Sequence, residues 1–275
     1  MKLIQFLNYK YFSYFLLFTI APIWGQEIAY THYQDEEISA HILEIDPTEY
    51  SITLVDCDGV QTPSSIAKKH GAIAAINAGF FRGGENMGNP SGIFQINGVR
   101  SSPTDRCRGA LGWNGTGDNL LIDRLDSDEI GNLLPFFHPE TLEDWNRMDH
   151  ILGSTPVLVM DYQIPNYFEE KVLFSFAVMD FPRSAVGLKD NGIWIFVMVE
   201  GKQSDISSGM SIAKLADFML SQGCKYALNL DGGYSSTLYY DDLTIYSKRT
   251  TGEDEIGDNQ DGERPVGNVL LFHKK

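Results

Sequence analysis

The sequence predicts an α+β fold in which a mixed, strand-rich sheet and a few packed helices form a single domain. Short apolar or alternating runs recur along the whole chain, and turns rich in Gly, Asn and Asp separate them. Only one segment has a long helical period. No repeat, low-complexity linker or change of composition marks a boundary between domains. A mature chain of about 250 residues is compatible with one large domain.

The N-terminal residues 1–25 have the layout of a secretory signal peptide. Lys2 and Lys10 are followed by an apolar stretch without charged residues over 11–24. This run is about 14 residues long, whereas a membrane-spanning helix needs roughly 20. We therefore expect a secreted or periplasmic domain over 26–275, without stable membrane insertion after cleavage.

Charge restricts the partners of this protein. The whole chain has a formal charge of −16, and without its signal peptide it keeps 19 basic and 37 acidic residues, or −18. Such a surface repels nucleic acid and anionic membranes, so neither is an expected partner. It also repels phosphate at long range, so any anion site must be a local basic pocket.

Cysteine and histidine usage argues against a metal or redox centre. Cys57, Cys107 and Cys224 contain no C-x-x-C pair, and their odd number allows at most one internal disulfide. Burial as small apolar side chains is the favoured interpretation. The six histidines are scattered singly along the sequence. The sequence therefore predicts no metal site and no cofactor.

The N-terminal half begins with two alternating runs. Residues 38–45 and 50–55 flank a turn at 46–48, which predicts a β-hairpin. A short helix is expected over 64–70. Further strands are predicted at 72–76, 92–96, 110–113, 120–123, 156–161, 193–199, 226–230 and 266–272.

One helix is well specified over 212–220. Its apolar side chains recur at the i, i+3, i+4, i+7 and i+8 positions of one helical face. Ser211 is the expected N-cap, and Gly223 suits a left-handed exit. The helix leads directly into the strand that precedes Asp231.

The strongest functional motif is the glycine-rich turn at 229–237. Asp231 follows an apolar strand, and Gly232 and Gly233 come directly after it. A strand end holds a side chain rigidly, and glycines let backbone amides approach a ligand closely. An ordinary turn between two strands is the alternative interpretation. The turn lacks the G-x-S-x-G pattern of a nucleophile elbow.

Two further segments have similar chemistry. Asn77 ends a buried strand and is followed by Gly79 and Phe80, which combine amide groups for sugar hydroxyls with an aromatic face. Arg183, in the segment 181–187, offers the planar donor fork that fits a phosphate.

Together these segments resemble the ordered motifs of the phosphodiester glycosidase family. The matching segments are Ile-Asn-Ala-Gly-Phe-Phe at 76–81, Pro-Arg-Ser-Ala-Val-Gly at 182–187, Asn-Leu-Asp-Gly-Gly at 229–233 and Arg-Pro-Val-Gly-Asn at 264–268. Members of this family cut a sugar from a phosphodiester at its anomeric carbon, and many bacterial members are linked to exopolysaccharide. The resemblance implies the same fold and a hydrolase that acts on a sugar-1-phosphodiester or a phosphate-containing glycan.

The chain departs from the family pattern at three places. Glu200-Gly201-Lys202 stands where the family commonly has Asp-Gly-Arg, and Tyr234 replaces a third glycine. Ser-Thr-Pro at 154–156 replaces Gly-Gly-Pro. Tyr234 is expected to narrow the pocket beside Asp231.

The resemblance also implies site residues. Asp231 is the candidate catalytic carboxylate, and Glu200 is the candidate second acid. Arg183 and the amides of Gly232 and Gly233 are expected to hold the phosphate. The other candidate substrate-binding residues are Asn77, Gly79, Phe80, Asn229, Ser235, Arg264 and Asn268, and the three asparagines among them are expected to position either sugar hydroxyls or backbone.

Two other functions remain open from sequence. A non-catalytic module could bind an exopolysaccharide or cell-wall polymer in the same pocket, given the changes at Glu200, Lys202 and Tyr234. A metal-dependent phosphatase could use Asp231 and the acidic segment 253–261. The latter is less favoured because a calcium-binding loop would need an acid where Gly257 stands.

Overall fold

The computed structural model of this chain describes residues 28–201, 208–247 and 262–275. The predicted signal peptide, Lys202 and the acidic segment 253–261 lie outside the described residues. Within the described ranges, no helix combines the length and the apolar character needed to cross a membrane.

Strands dominate the structure. The described residues contain seventeen, in chain order: β1 (Ala29–Gln34), β2 (Ser39–Ile45), β3 (Tyr50–Gln61), β4 (Ala74–Asn77), β5 (Phe94–Ile96), β6 (Val99–Ser102), β7 (Arg108–Asn114), β8 (Asp118–Ser127), β9 (Leu133–Pro135), β10 (His150–Gly153), β11 (Val157–Val159), β12 (Arg183–Lys189), β13 (Trp194–Val199), β14 (Cys224–Asn229), β15 (Thr237–Tyr240), β16 (Leu243–Tyr246) and β17 (Val266–Lys274). The helices are few: α1 (Pro63–His70), α2 (Leu142–Trp145), α3 (Phe174–Val178) and α4 (Ile212–Ser221).

These strands form three sheets, and the named strands pair in antiparallel fashion. The first sheet has the order β1-β2-β13-β12-β14-β11, the second β6-β5-β10-β7-β8-β9 and the third β16-β15-β4-β17-β3. The main core lies between the sheets, where the Phe196 and Phe272 rings of the first and third sheets are 4.5 Å apart. The predicted α+β class with few helices is confirmed.

The predicted hairpin over 38–55 is wrong. β2 pairs with β1 and β13 in the first sheet, whereas β3 pairs with β17 in the third. The turn after Asp46 therefore carries the chain from one sheet to another. Alternation in a sequence shows which face of a strand is buried, but it does not show which strand lies beside it.

The two predicted helices are present. α4 begins after Ser211, whose Oγ accepts a hydrogen bond of 3.3 Å from the Lys214 amide, and Gly223 has the left-handed φ of 81°. The apolar face of α4 packs on the outer face of the first sheet, where Leu215 and Met219 are fully buried. This packing fixes β14, which leads to Asp231.

The three cysteines are unpaired. Cys57 and Cys224 are buried, and this burial raises the pKa of both thiols to about 12. They pack as small apolar side chains, as the sequence predicts, and remain protonated at neutral pH.

Candidate active site

Several strand ends meet where the first and third sheets join. β4, β13 and β14 end at this edge, and β12, β15 and β17 begin there. The Asp231 amide donates to the Ala78 carbonyl over 2.9 Å, which bonds the chain leaving β14 to the chain leaving β4. Residues far apart in sequence are therefore held at a single edge.

Asp231 lies at this junction and is partly exposed. Its Oδ1 accepts a 2.8 Å hydrogen bond from the Gly232 amide, and the Ser235 hydroxyl also bonds to the carboxylate. Burial raises the pKa of Asp231 to about 6, while the bonds from Ser235 and Gly232 and the positive charge of Arg264 act in the opposite direction. The carboxyl therefore titrates close to the pH at which enzymes work.

Arg264 is the cation that faces Asp231. Its Nη1 donates to Ser235 Oγ over 3.0 Å, so one hydroxyl links the guanidinium to the carboxylate. The guanidinium lies 5.6 Å from the centre of the Phe81 ring. Its Nε has no hydrogen-bond partner among the described residues. Glu263, just before it, anchors the segment by accepting a 2.9 Å bond from the Ser64 amide.

The amides of Gly232 and Gly233 are engaged in hydrogen bonds within the protein, which disfavours their predicted phosphate-binding role. The Gly232 amide is bonded to Asp231, and the Gly233 amide donates to the Pro182 carbonyl over 2.8 Å. Gly233 needs its left-handed φ of 63°, and a Cβ on Gly232 would lie 3.0 Å from the Pro182 oxygen. Since both amides already donate to acceptors within the protein, the role of the two glycines is to shape the turn that presents Asp231.

Asn77 is a structural tie rather than an exposed sugar ligand. Its side chain is fully buried, and its Nδ2 donates to the Asp231 carbonyl over 2.7 Å. Its Oδ1 accepts bonds from Ser184 Oγ at 2.7 Å and from the Thr237 amide at 3.1 Å. One amide therefore fixes the position of the Asp231 backbone relative to β12 and β15.

Three other predicted ligands are also buried. Asn268 Oδ1 accepts a 2.7 Å bond from the Gly79 amide. Gly79 packs so tightly that a Cβ there would lie 2.7 Å from the Gly153 carbonyl oxygen. Asn229 donates its Nδ2 to the carbonyls of Thr155 and Leu230, both at 2.7 Å. Their burial disfavours direct substrate contact, and their hydrogen bonds and packing instead fix the backbone around the junction.

Arg183 reaches the site with its backbone but uses its guanidinium for packing. Its Cα lies 3.7 Å from the position that a Cβ on Gly232 would occupy. The side chain is 1% exposed and donates to the carbonyls of Met210, Phe176 and Met179 at 2.8, 2.7 and 3.1 Å. Burial lowers its pKa to about 10, so it stays charged at neutral pH. This engagement disfavours the predicted phosphate-binding role of Arg183.

Partly exposed aromatic rings surround the junction. Phe80 packs edge-on against Phe176 at 6.0 Å, and Phe81 lies under Arg264. Tyr234 follows the glycine pair and is partly exposed. Of the predicted sugar-binding residues, Phe80 therefore has an accessible face, which suits the C–H surface of a sugar ring.

Glu200 lies at the end of β13 on the same edge, but another group binds its carboxylate. His41 Nε2 is 2.5 Å from Glu200 Oε1. This hydrogen bond, together with the positive charge that His41 can carry, lowers the pKa of Glu200. β12 lies between β13 and β14, so the backbones that carry Glu200 and Asp231 are about 10 Å apart. The bond to His41 disfavours Glu200 as a free second acid.

Sequence reasoning missed His41 and Tyr30. Tyr30 Oη lies 2.8 Å from His41 Nδ1, and His32 stacks on the same imidazole with ring centres 4.3 Å apart. The local signal is a histidine at the third position of β2, a strand whose residues are almost all buried. Their proximity depends on strand register, which residue spacing does not show.

The sequence profile of the phosphodiester glycosidase family matches residues 70–273. The chain belongs to the phosphodiester glycosidase family. The match includes Asp231, Arg264 and the other strand ends of the junction. No curated protein sequence matches this chain significantly.

Three solved structures show the same fold. A hypothetical protein from Synechocystis has a TM-score of 0.69 at 17% identity. The match covers 90% of this chain and 61% of the Synechocystis protein. The catalytic domain of zebrafish N-acetylglucosamine-1-phosphodiester alpha-N-acetylglucosaminidase, auto-inhibited by its pro-peptide, has a TM-score of 0.65 at 21% identity, covering 94% of this chain and 85% of that one. A protein from Burkholderia pseudomallei K96243 described as exported has a TM-score of 0.62 at 15% identity, covering 86% and 74%.

Proposed function

We propose that this family member hydrolyses the bond between C1 of a sugar and the phosphate oxygen of a sugar-1-phosphodiester. The observation that carries the proposal is the partly exposed pair of Asp231 and Arg264, joined through Ser235, at the junction of two sheets. Water supplies a hydroxyl group to C1 and a proton to the medium, and the products are a free sugar and a phosphate monoester.

The leaving group determines what the site must supply. A phosphate monoester has a second pKa near 6 and leaves without full protonation. The remaining demands are to hold the phosphate charge and to stabilise the positive charge that develops at C1. Since the protein carries a net charge of −16, the anion must be attracted locally.

Arg264 meets the first demand in this proposal. Arg264 is partly exposed, and Ser235 and the Phe81 ring orient its guanidinium. A planar fork can give two parallel hydrogen bonds to phosphate oxygens, which a lysine ammonium cannot. We therefore assign to Arg264 the role that the sequence suggested for Arg183.

Asp231 meets the second demand. With a pKa of about 6 it is mostly ionised at neutral pH, and it can then stabilise the developing charge at C1 or accept a proton from the attacking water. Asn77 holds the Asp231 backbone, so the carboxylate is placed before substrate arrives. Phe80 offers a face for the sugar ring.

The substrate class and location extend the same proposal. We infer that the substrate is a phosphate-containing glycan outside the cytoplasm, secreted or periplasmic. The signal-like residues 1–25 and the Burkholderia neighbour described as exported support this location. The zebrafish neighbour, whose name specifies an N-acetylglucosamine-1-phosphodiester, supports the bond type.

Hydrolysis in ¹⁸O-enriched water tests the proposal. A synthetic N-acetylglucosamine-1-phosphodiester is incubated with the protein, and ³¹P NMR follows the released phosphate monoester. Cleavage between C1 and oxygen leaves the phosphate without ¹⁸O, as we expect. Label in the phosphate would instead support the phosphatase alternative, and binding without release would support the binding module.

A further inference from the structure

Two histidines face each other at the edge of the first sheet. His32 on β1 and His41 on β2 are direct partners in the antiparallel register. Their rings are nearly parallel, with centres 4.3 Å apart and an angle of 10° between the planes. A cross-strand pair of imidazoles brings two nitrogen ligands together without any change of the backbone.

A carboxylate completes the cluster from the next strand. His41 is opposite Met198 on β13, and Glu200 follows two residues later, on the same face. One ligand atom from each of His32, His41 and Glu200 lies within 4.8 Å of the others. Three neighbouring strands therefore supply two nitrogens and one oxygen to a small volume.

We propose that His32, His41 and Glu200 bind a divalent transition-metal ion of the Zn²⁺ class. Two histidines, one carboxylate and an open fourth position form a known zinc ligand set, with metal–ligand distances of about 2.0–2.2 Å. The distance of 2.5 Å between His41 Nε2 and Glu200 Oε1 is that of a hydrogen bond, with a proton between the two atoms. Two ligands of one ion need a wider gap, so the Glu200 carboxylate moves by about 1 Å when metal replaces the proton.

Neighbouring hydroxyls orient both imidazoles. Tyr30 Oη is 2.8 Å from His41 Nδ1, which directs His41 Nε2 towards Glu200. Ser39 Oγ lies 2.9 Å from His32 Nε2. Partners of this kind fix the ring orientation of metal-binding histidines, and their loss typically weakens affinity by about 10- to 100-fold.

The proposed ion lies on the same sheet edge as the candidate active site. Gly201, next to Glu200, packs against Pro182, and the Pro182 carbonyl accepts the Gly233 amide. A cation there would add positive charge at an edge where an acidic protein must receive an anion. The metal site does not depend on the proposed hydrolysis, because binding is measured without substrate.

Titration of the untagged, metal-free full chain with ZnCl₂ tests the proposal by calorimetry. We expect one equivalent to bind with a micromolar or lower Kd and to release protons, seen as heats that differ between buffers of different ionisation enthalpy. Co²⁺ should give the absorption bands of a four-coordinate ion. His32→Ala and Glu200→Gln should each weaken zinc binding by at least about tenfold, and Tyr30→Phe by about tenfold.

His138→Ala is the matched control. His138 also contacts carboxylates, but Asp123 lies on the Nδ1 side of its ring and Asp161 on the Nε2 side. The two carboxylates therefore cannot bind one ion together with the His138 imidazole. This variant should bind zinc like the wild type. Because His32 is exposed on an edge strand, His32→Ala should fold normally, which its melting temperature will show. Absence of zinc binding by the wild type, or equal binding by folded His32→Ala or Glu200→Gln, would overturn the proposal.

Discussion

Two carboxylates in this protein differ in how completely hydrogen-bond donors fill their oxygens. Glu170 is fully buried, and four donors fill its oxygens: Arg124 Nε, Thr155 Oγ1 and the amides of Gly109 and Val157, at 2.8–2.9 Å. Asp231 is partly exposed, and Ser235 and the Gly232 amide are its main donors. Hydrogen-bond donors fill both oxygens of Glu170, whereas the oxygens of Asp231 can accept further hydrogen bonds from a ligand.

Two arginines differ in the same way. Three carbonyls and two aromatic rings engage the guanidinium of Arg183, which is buried. Among the described residues, Arg264 donates one side-chain hydrogen bond, to Ser235, and it stacks on Phe81 and is partly exposed. Both arginines lie in segments that resemble family motifs, and among the described residues they differ in how many hydrogen-bond partners they have.

The largest expected effect is on catalysis and comes from substitution of Asp231, the acid with fewer hydrogen-bond donors. Asp231→Asn keeps the shape but removes the charge, so kcat should fall by about 10²- to 10⁴-fold while the fold is retained. Steady-state kinetics and circular dichroism check this. Asp161→Asn, an exposed acid near His138 and Tyr226, should keep wild-type turnover. More than about a tenth of the wild-type kcat in Asp231→Asn would exclude the catalytic role.

Substitution of Glu170, whose oxygens are filled by donors, should affect stability. Glu170→Gln leaves the buried Arg124 with the exposed Glu169 as its remaining charge partner and removes the charge that four buried donors hold, so the free energy of unfolding should fall by about 3 to 5 kcal/mol. Glu169→Gln is the matched control, because Glu169 also bonds Arg124 but is 53% exposed and should cost less than about 1 kcal/mol. Urea unfolding measures both. Equal small losses would show that oxygens filled by donors do not identify a structural acid here.

The sequence predicted the fold class and the strand ends of the site because both depend on local patterns. Asp231 after an apolar strand and the capped helix α4 are examples. It did not predict that β2 and β3 belong to different sheets, or that β12 carries Arg183, since strand partners are set by contacts distant in sequence. The burial of Asn77 and Asn268 was also hidden, because an amide at a strand end suits a ligand or a backbone tie equally well.

The arginine comparison predicts a pair of contrasting substitutions. Arg264→Lys should lower kcat/KM for a phosphodiester by about 10- to 100-fold and affect a neutral glycoside much less, since the bidentate fork is lost. Arg183→Lys should reduce kcat/KM for both substrates similarly and lower the melting temperature, because buried carbonyls lose their donors. The reverse pattern would return the phosphate role to Arg183.

The smallest expected effect is on stability and depends on pH. The folded pKa of Asp231, about 6, is above its usual value of 3.8, so burying the ionised form opposes folding. This cost is fully present above pH 6 and disappears as pH falls through 6 towards 3.8, where the carboxyl is protonated in both states. Asp231→Asn removes it, and the variant should therefore be more stable than wild type by about 1 to 2 kcal/mol at pH 7.5. The gain should vanish near pH 4, whereas Asp161→Asn should show no such pH-dependent gain. Urea unfolding at both pH values measures the difference. A variant that is equally stable or less stable at pH 7.5 would mean that Asp231 is as well satisfied as Glu170, and the contrast between the two acids would fail.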